Sequence, residues 1–215
     1  MQKSDYLAIK NQLSFSKPLW ITLALIAADW VLVYIAFSLI STRGFIPFLL
    51  SQLILGIFYF HNFALLHEAG HGNVSTKPWV NVVVGHYASI FCFLPFFPWK
   101  TIHQGHHVYV GNVDKDPTLA LLNKFRKIGK IPQISHFTWN NWIPLPSFMQ
   151  HVSLWRYPLE IRTSTDASKK MFLPSCFSVL FLIAVYSFLF TAFPHWVNFK
   201  NLGLSILVWK TRVGS

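Results

Sequence analysis

Three long apolar stretches constrain this chain more than any other feature. They cover residues 19–40, 45–66 and 171–193, and each is 22 or 23 residues long. A helix of about 20 apolar residues crosses the hydrocarbon core of a bilayer. The first stretch holds one charged residue, Asp29, and the other two hold none. The sequence therefore predicts three membrane-spanning helices.

The composition supports a membrane protein. Apolar residues make up 53% of the chain and charged residues only 12%, whereas a soluble domain carries about 25% charged residues. The first apolar stretch is longer than the core of a cleaved signal peptide, so we expect it to be retained as a signal-anchor. We predict an all-α fold, a polytopic membrane helical bundle formed by one domain over residues 1–215.

The net charge of +11 does not indicate a nucleic-acid-binding protein, because the charges follow a membrane topology. The N-terminal tail carries Lys3, Lys10 and Lys17, and the connection after the first stretch carries only Arg43. Residues 67–170 hold eleven Lys and Arg against five acids. By the positive-inside rule we expect the N-terminus and residues 67–170 to be cytoplasmic.

The apolar segment 80–97 is predicted not to cross the membrane. Crossing would separate the histidine clusters on either side of it, so we interpret it as a re-entrant or interfacial element. Pro95 and Pro98 are expected to break a helix there. Residues 119–130 predict a basic amphipathic helix at the membrane surface. Irregular structure is expected beyond it, where three Trp and three Pro residues accumulate: Trp139, Trp142, Trp155, Pro144, Pro146 and Pro158.

The chain ends in a partial apolar element. Residues 196–209 begin like a fourth span but are too short to cross and include Asn198, Lys200 and Asn201. We therefore expect the bundle to be incomplete at its C-terminus, as if the chain were truncated.

Two histidine clusters carry the chemistry. The first is His67 and His71 in HEAGH, and the second is His103, His106 and His107 in HQGHH. Residues three and four apart share one face of a helix, and imidazole is a common ligand of transition metals. The spacing predicts a metal centre. HEAGH also matches the zinc-protease motif, with Glu68 as general base, but that alternative leaves the second cluster without a role.

The order of these features resembles the membrane-bound fatty acid desaturases, and within them the acyl-lipid, omega-6-like branch. The resemblance rests on two spans, HEAGH, a short apolar segment, Trp99-Lys-x-x-His-x-x-His-His107, and Gly111-Asn-x-Asp-Lys-Asp-Pro117. It implies a cytoplasmic histidine-box cap and two non-haem iron ions, with O2 as co-substrate. The implied ligands on this chain are His67, His71, His103, His106 and His107.

The family has a third box of the form H/Q-x-x-H-H, which this sequence does not contain. His136, His151 and His195 are isolated and are not expected to bind metal. We therefore expect the 215 residues alone to be inactive. Glu68 is a candidate to orient an imidazole and Asp116 a candidate to brace the second box, although a solvated helix residue and a simple turn residue remain alternatives.

The resemblance also implies the partners. They are the acyl chain of a membrane lipid and an electron donor such as ferredoxin or cytochrome b5. Two other functions stay open from the sequence. One is a related di-iron hydroxylase or carotenoid oxidase, and the other is a non-catalytic membrane remnant that has lost its iron.

Overall fold

The chain is an all-α bundle, as predicted. A computed structural model describes residues 19–42, 44–141, 145–162 and 169–192, and no strand occurs within these ranges. Eight α-helices and one short 3-10 helix, Pro117–Leu119, are described. The α-helices are α1 (Leu19–Ser41), α2 (Phe45–His71), α3 (Pro78–Cys92), α4 (Phe96–Tyr109), α5 (Ala120–Lys127), α6 (Ile131–Asn141), α7 (Leu145–Ile161) and α8 (Phe172–Ala192).

The three predicted spans are α1, α2 and α8, which are long and apolar enough to cross a membrane. Their outward faces carry large exposed apolar side chains, including Trp20, Leu53 and Phe190. Apolar faces of this kind are favourable in contact with lipid and unfavourable in contact with water. The chain is an integral membrane protein. The predicted partial span at 196–209 and the basic N-terminal tail lie outside the described residues.

Helices α3 and α4 occupy the segment predicted to turn back. Their axes differ by 97° at a break of three residues, and Phe93 within the break adopts a left-handed backbone with φ 56°. Pro95 is the N-cap of α4. Pro98 lies in the first turn of α4, where proline is tolerated. The bend returns the chain to the end of α2 from which α3 departed, so both histidine boxes meet.

The expectation of irregular structure after residue 130 was wrong. Helices α6 and α7 cover most of this segment. Pro132 and Pro146 occupy first turns, where a missing N–H costs nothing, and Pro158 lies in the last turns of α7. Trp142 and Pro144 are outside the described residues. The predicted basic helix is present as α5.

The core lies where α2, α3 and α4 meet, and two glycines allow this close packing. A Cβ added at Gly85 of α3 would lie 2.2 Å from the ring of Phe96, and one at Gly70 of α2 would lie 2.7 Å from the ring of Trp99. Phe96 is fully buried and Trp99 nearly so. Each glycine therefore admits an aromatic ring from α4 directly against its helix.

A polar pair joins α1 to α2 within the apolar segments. Asp29 is buried, and its Oδ1 lies 2.7 Å from Nδ1 of His61. A charged group within a span is costly unless it is paired. The pair explains the only charge in the first span and places His61 in a structural contact.

Candidate metal centre

The first histidine box forms the last turn and a half of α2. His67 and His71 are one turn apart, and their ring centroids lie 4.6 Å from each other. Gly72 ends the helix with a left-handed backbone, φ 76°, and its N–H donates to the carbonyl of Ala69. Asn73 N–H donates to the carbonyl of Glu68. This glycine C-cap stops the helix directly after its second histidine.

The second box lies on α4, and two of its histidines face the first box. His71 Nε2 lies 3.1 Å from His103 Nε2, and His107 Nε2 lies 3.0 Å from the same atom. The His67 ring centroid is 4.8 Å from that of His103. One ring nitrogen from each of His67, His71, His103 and His107 falls within a group whose atoms all lie within 4.8 Å of one another.

This spacing fits a metal ion. Two nitrogens about 2.1 Å from a metal and about 90° apart lie about 3.0 Å from each other. Four imidazoles cannot all be charged at such distances, and neutral imidazole is the form that ligates. We call His67, His71, His103 and His107 the four-histidine group. Its donor set fits a metal cofactor.

Trp99 connects the two boxes. Its ring stacks on His103 with centroids 4.6 Å apart and planes 13° apart, and it fills the space above Gly70. Gln104 Nε2 donates to the Gly70 carbonyl at 3.4 Å. Gly70 of HEAGH is therefore a point at which α4 packs on α2, and both histidine boxes lie beside this contact.

His106 is not part of the four-histidine group. Its ring centroid is 5.8 Å from that of His107 and 6.4 Å from that of His103. Its Nδ1 lies 2.7 Å from Oδ2 of buried Asp116. A carboxylate accepts, so Nδ1 carries the proton and Nε2 remains available to ligate. The structure thus brings four of the five predicted histidines together and holds the fifth at their edge.

Asp116 is fixed by its own turn. Its Oδ1 accepts from the backbone N–H of Thr118 at 2.9 Å and from the Thr118 hydroxyl at 2.7 Å. Gly105 lets Pro117 approach, since a Cβ there would lie 3.0 Å from the proline ring. Burial raises the pKa of the Asp116 carboxyl, but hydrogen bonds from Thr118 and His106 outweigh it and leave the pKa below its ordinary value.

Glu68 has the corresponding position at the first box. Its Oε1 lies 3.1 Å from Nδ1 of His67, and its Oε2 accepts from Asn73 Nδ2 at 3.0 Å. The carboxylate again keeps the proton on Nδ1 and leaves Nε2 for a ligand role. Sequence reasoning missed Asn73 and Thr118. Their positions, next to the helix-ending Gly72 and two residues after Asp116, are the signals that point to them.

The other histidines described are outside this group. His61 pairs with Asp29, and His86 contacts Val82 and Ser178. His136 on α6 contacts Asn140, and His151 lies on α7. His195 is outside the described residues.

The Asp116 brace predicts a specific pH dependence. Because the folded-state pKa is lowered, its stabilising effect is present above the ordinary carboxyl pKa of about 3.9 and is lost as pH falls through the lowered value. Thermal unfolding of Asp116→Asn should therefore differ from wild type most above about pH 4, and the two should converge in stronger acid. Asp114→Asn is the control, because Asp114 is exposed and its carboxylate pairs only with Arg126 among the described residues. A constant difference across pH 2–6 would contradict the brace.

The family assignment follows from comparison with known proteins. The sequence profile of the fatty acid desaturase family matches residues 43–211, a region that contains both boxes and most of the described helices. The chain belongs to the fatty acid desaturase family. The family predicted from the histidine boxes is thereby confirmed. No solved structure matches the chain significantly.

Three curated relatives illustrate the match. An sn-1 oleoyl-lipid 12-desaturase of Picosynechococcus sp. is 41% identical over 27% of this chain and 17% of its own length. An endoplasmic-reticulum acyl-lipid omega-3 desaturase (cytochrome b5) of Arabidopsis thaliana is 28% identical over 63% and 38%. A chloroplastic sn-2 acyl-lipid omega-3 desaturase (ferredoxin) of Helianthus annuus is 29% identical over 56% and 27%. The chain spans less than two fifths of the length of each.

Proposed function

We propose that these residues carry two of the three histidine boxes of an acyl-lipid desaturase that removes hydrogen from a fatty acyl chain in a membrane lipid. The observation that carries the proposal is the convergence of four ring nitrogens from two boxes within 4.8 Å. The names of the relatives, which are acyl-lipid or oleoyl-lipid desaturases, support the substrate class.

The proposed cofactor is a pair of iron ions. His67, His71, His103 and His107 would hold iron in the four-histidine group, and His106 would contribute to the pair from its edge. With O2 and two electrons, non-haem iron supplies an oxidant strong enough to attack an unactivated methylene. The overall reaction takes –CH2–CH2–, O2, two electrons and two protons to –CH=CH– and two water molecules.

The chain's own residues prepare the site. Glu68 and Asp116 hold the protons on Nδ1 of His67 and His106, which fixes each ring and leaves Nε2 for the metal. The buried ring of Trp99 keeps water from the space between the box helices. The helices hold the ligand candidates rigidly, which is an advantage because small displacements of reacting groups are costly to the reaction rate.

We place the site at the cytoplasmic membrane surface. The first box ends a span and the second follows the bent pair α3 and α4, so a lipid chain reaches the boxes from the membrane and a reductant reaches them from the other side. The excess of Lys and Arg over residues 67–170 supports this orientation. The relatives named for cytochrome b5 and for ferredoxin support an electron donor of one of these two kinds.

An intramembrane zinc protease is less compatible with the geometry. A zinc protease with this motif binds zinc through the two histidines of HExxH and a third ligand elsewhere. Its glutamate, Glu68 in this sequence, acts as the general base. Here Glu68 Oε1 contacts His67 Nδ1 at 3.1 Å. His103 and His107 of the second box lie close to the ring nitrogens of the first box that would bind a zinc ion.

Lipid analysis tests the proposed activity. In a host without its own polyunsaturated lipids, a protein that joins these residues to a third histidine box should produce acyl chains with one added double bond, detected by gas chromatography and mass spectrometry. The same protein with His71→Ala should produce none, and residues 1–215 alone should produce none because five histidines fall short of the set that the resemblance implies. Hydroxylated chains would identify the related hydroxylase. Equal double-bond formation by His71→Ala would contradict the proposal.

A further inference from the structure

The turn between α3 and α4 is held by residues far away in the sequence. We call residues 93–95 the elbow. Helix α4 begins directly after it with Pro95 as N-cap, and no side chain of α4's own N-terminus accepts a hydrogen bond from the first turn. The first N–H groups of a helix need acceptors. An acceptor comes from α8: Phe97 N–H donates to Oγ of Ser178 at 3.2 Å.

Ser178 is itself oriented by His86 of α3. The Ser178 Oγ lies 3.0 Å from His86 Nε2, and His86 Nδ1 lies 2.8 Å from the carbonyl of Val82. A carbonyl only accepts, so Nδ1 carries a proton, and in the neutral ring Nε2 accepts from the Ser178 hydroxyl. One continuous set of hydrogen bonds therefore runs from Phe97 N–H through the serine to His86 and Val82.

Aromatic rings enclose this set of bonds. Phe96, Phe97, Phe177 and Phe181 each have a ring centroid between 5.2 and 5.5 Å from that of His86. Both His86 and Ser178 are buried. Hydrogen bonds in an apolar environment resist exchange with water, so the contact of α3 and α4 with α8 is well defined.

The outer side of the elbow is fixed as well. Tyr186 of α8 donates its hydroxyl to the carbonyl of Ile90 at 2.7 Å, and its ring stacks on Phe93 at 5.1 Å. Trp155 of α7 donates its Nε1–H to the carbonyl of Phe93 at 3.0 Å. A left-handed backbone at a phenylalanine is unfavourable, and these contacts stabilise it.

From these contacts we infer that Ser178 is a positioning residue for the second histidine box. It caps α4 from the third span, and together with His86 it sets the direction in which α4 leaves the elbow. His103 lies six residues beyond Phe97 on the same rigid helix. A change in the direction of α4 therefore moves His103 and His107 relative to the first box. The inference rests on the proposed metal centre for its consequence, but not for its geometry.

The chain provides a matched control for a test. Ser175 lies one turn before Ser178 on α8, is equally buried, and its Oγ has no hydrogen-bond partner among the described residues. Ser178→Ala removes the cap, Ser178→Thr keeps the hydroxyl, and Ser175→Ala removes a hydroxyl that caps nothing.

Two readouts are needed, one with metal and one without. Co2+ binding to the purified chain is followed by absorption and equilibrium dialysis. The metal-free readout uses a chain with His71→Cys and His103→Cys, in which Cys92 and Cys176 are replaced by alanine. It measures the rate at which a short reagent with two thiol-reactive ends links the two new cysteines.

Ser178→Ala should weaken Co2+ binding by about fivefold, which is the size of effect expected from the loss of one helix cap. It should also change the absorption spectrum of the bound Co2+. It should also slow the bridging, whereas Ser175→Ala and Ser178→Thr should behave like wild type in both assays. Wild-type behaviour of Ser178→Ala, or equal damage from Ser175→Ala, would overturn the inference. If no variant binds Co2+, the metal centre is wrong, and the bridging rates alone decide the role of Ser178.

Discussion

Replacing His103 with alanine is expected to weaken metal binding more than about 100-fold. Loss of a residue that only orients a ligand costs about 10–100-fold in metal affinity, and His103 occupies a central position among the ligand candidates. Its Nε2 lies within 3.1 Å of His71 Nε2 and 3.0 Å of His107 Nε2. The measurement is equilibrium dialysis of Co2+ or Fe2+ against the purified chain.

His136→Ala is the matched control for this experiment. His136 is an exposed histidine on α6 that contacts Asn140 and lies outside the four-histidine group. It should bind metal like wild type, and thermal unfolding of both variants separates ligand loss from misfolding. Unchanged metal affinity in a folded His103→Ala protein would remove His103 from the site.

Gly70→Ala should both destabilise the protein and weaken metal binding. The new Cβ would lie 2.7 Å from Cζ3 of Trp99, and overpacking of this kind costs about 1–3 kcal/mol. Trp99 stacks on His103, so displacement of the indole moves a ligand candidate. Alanine favours a helix over glycine by up to about 1 kcal/mol, which offsets part of the loss in unfolding free energy but none of the displacement.

Gly56→Ala isolates the helix-propensity effect. Gly56 lies on the same helix, and among the described residues an added Cβ would meet no atom within 4 Å apart from its chain neighbours and the backbone of its own helix. Its substitution should leave metal binding unchanged and raise the thermal midpoint slightly. If Gly70→Ala behaves in the same way, then close packing of Trp99 on the first box does not position the site.

The sequence predicted the spans and boxes well because both depend on short-range patterns. The length of an apolar stretch decides whether it crosses a membrane, and the i, i+4 spacing of His67 and His71 places them on one face before any tertiary contact forms. The resemblance to desaturases rested on the same short motifs, and the family match confirms it.

Long-range contacts were not predictable in the same way. Asp29 and His61 pair across 32 positions in the sequence, and Ser178 accepts from Phe97 N–H across 81. The local sequence around Asp29 or Ser178 does not indicate which distant residue it contacts. Helices α6 and α7 were missed because an accumulation of Trp and Pro residues was taken to indicate irregular structure, although Pro146 lies in a first turn, where proline is compatible with a helix. The position of a proline within a helix, which depends on where the helix begins, decided the outcome.

The central claim is that the two boxes form one metal site, and iron content tests it most directly. Purified chain is loaded with Fe2+ without oxygen and desalted, and iron and protein are measured on the same sample, beside a variant with His71→Ala and His107→Ala. The account predicts bound iron of at least about one ion per chain in the wild type and almost none in the double variant. Equal iron in the two proteins, or no iron in a folded wild type, would contradict it.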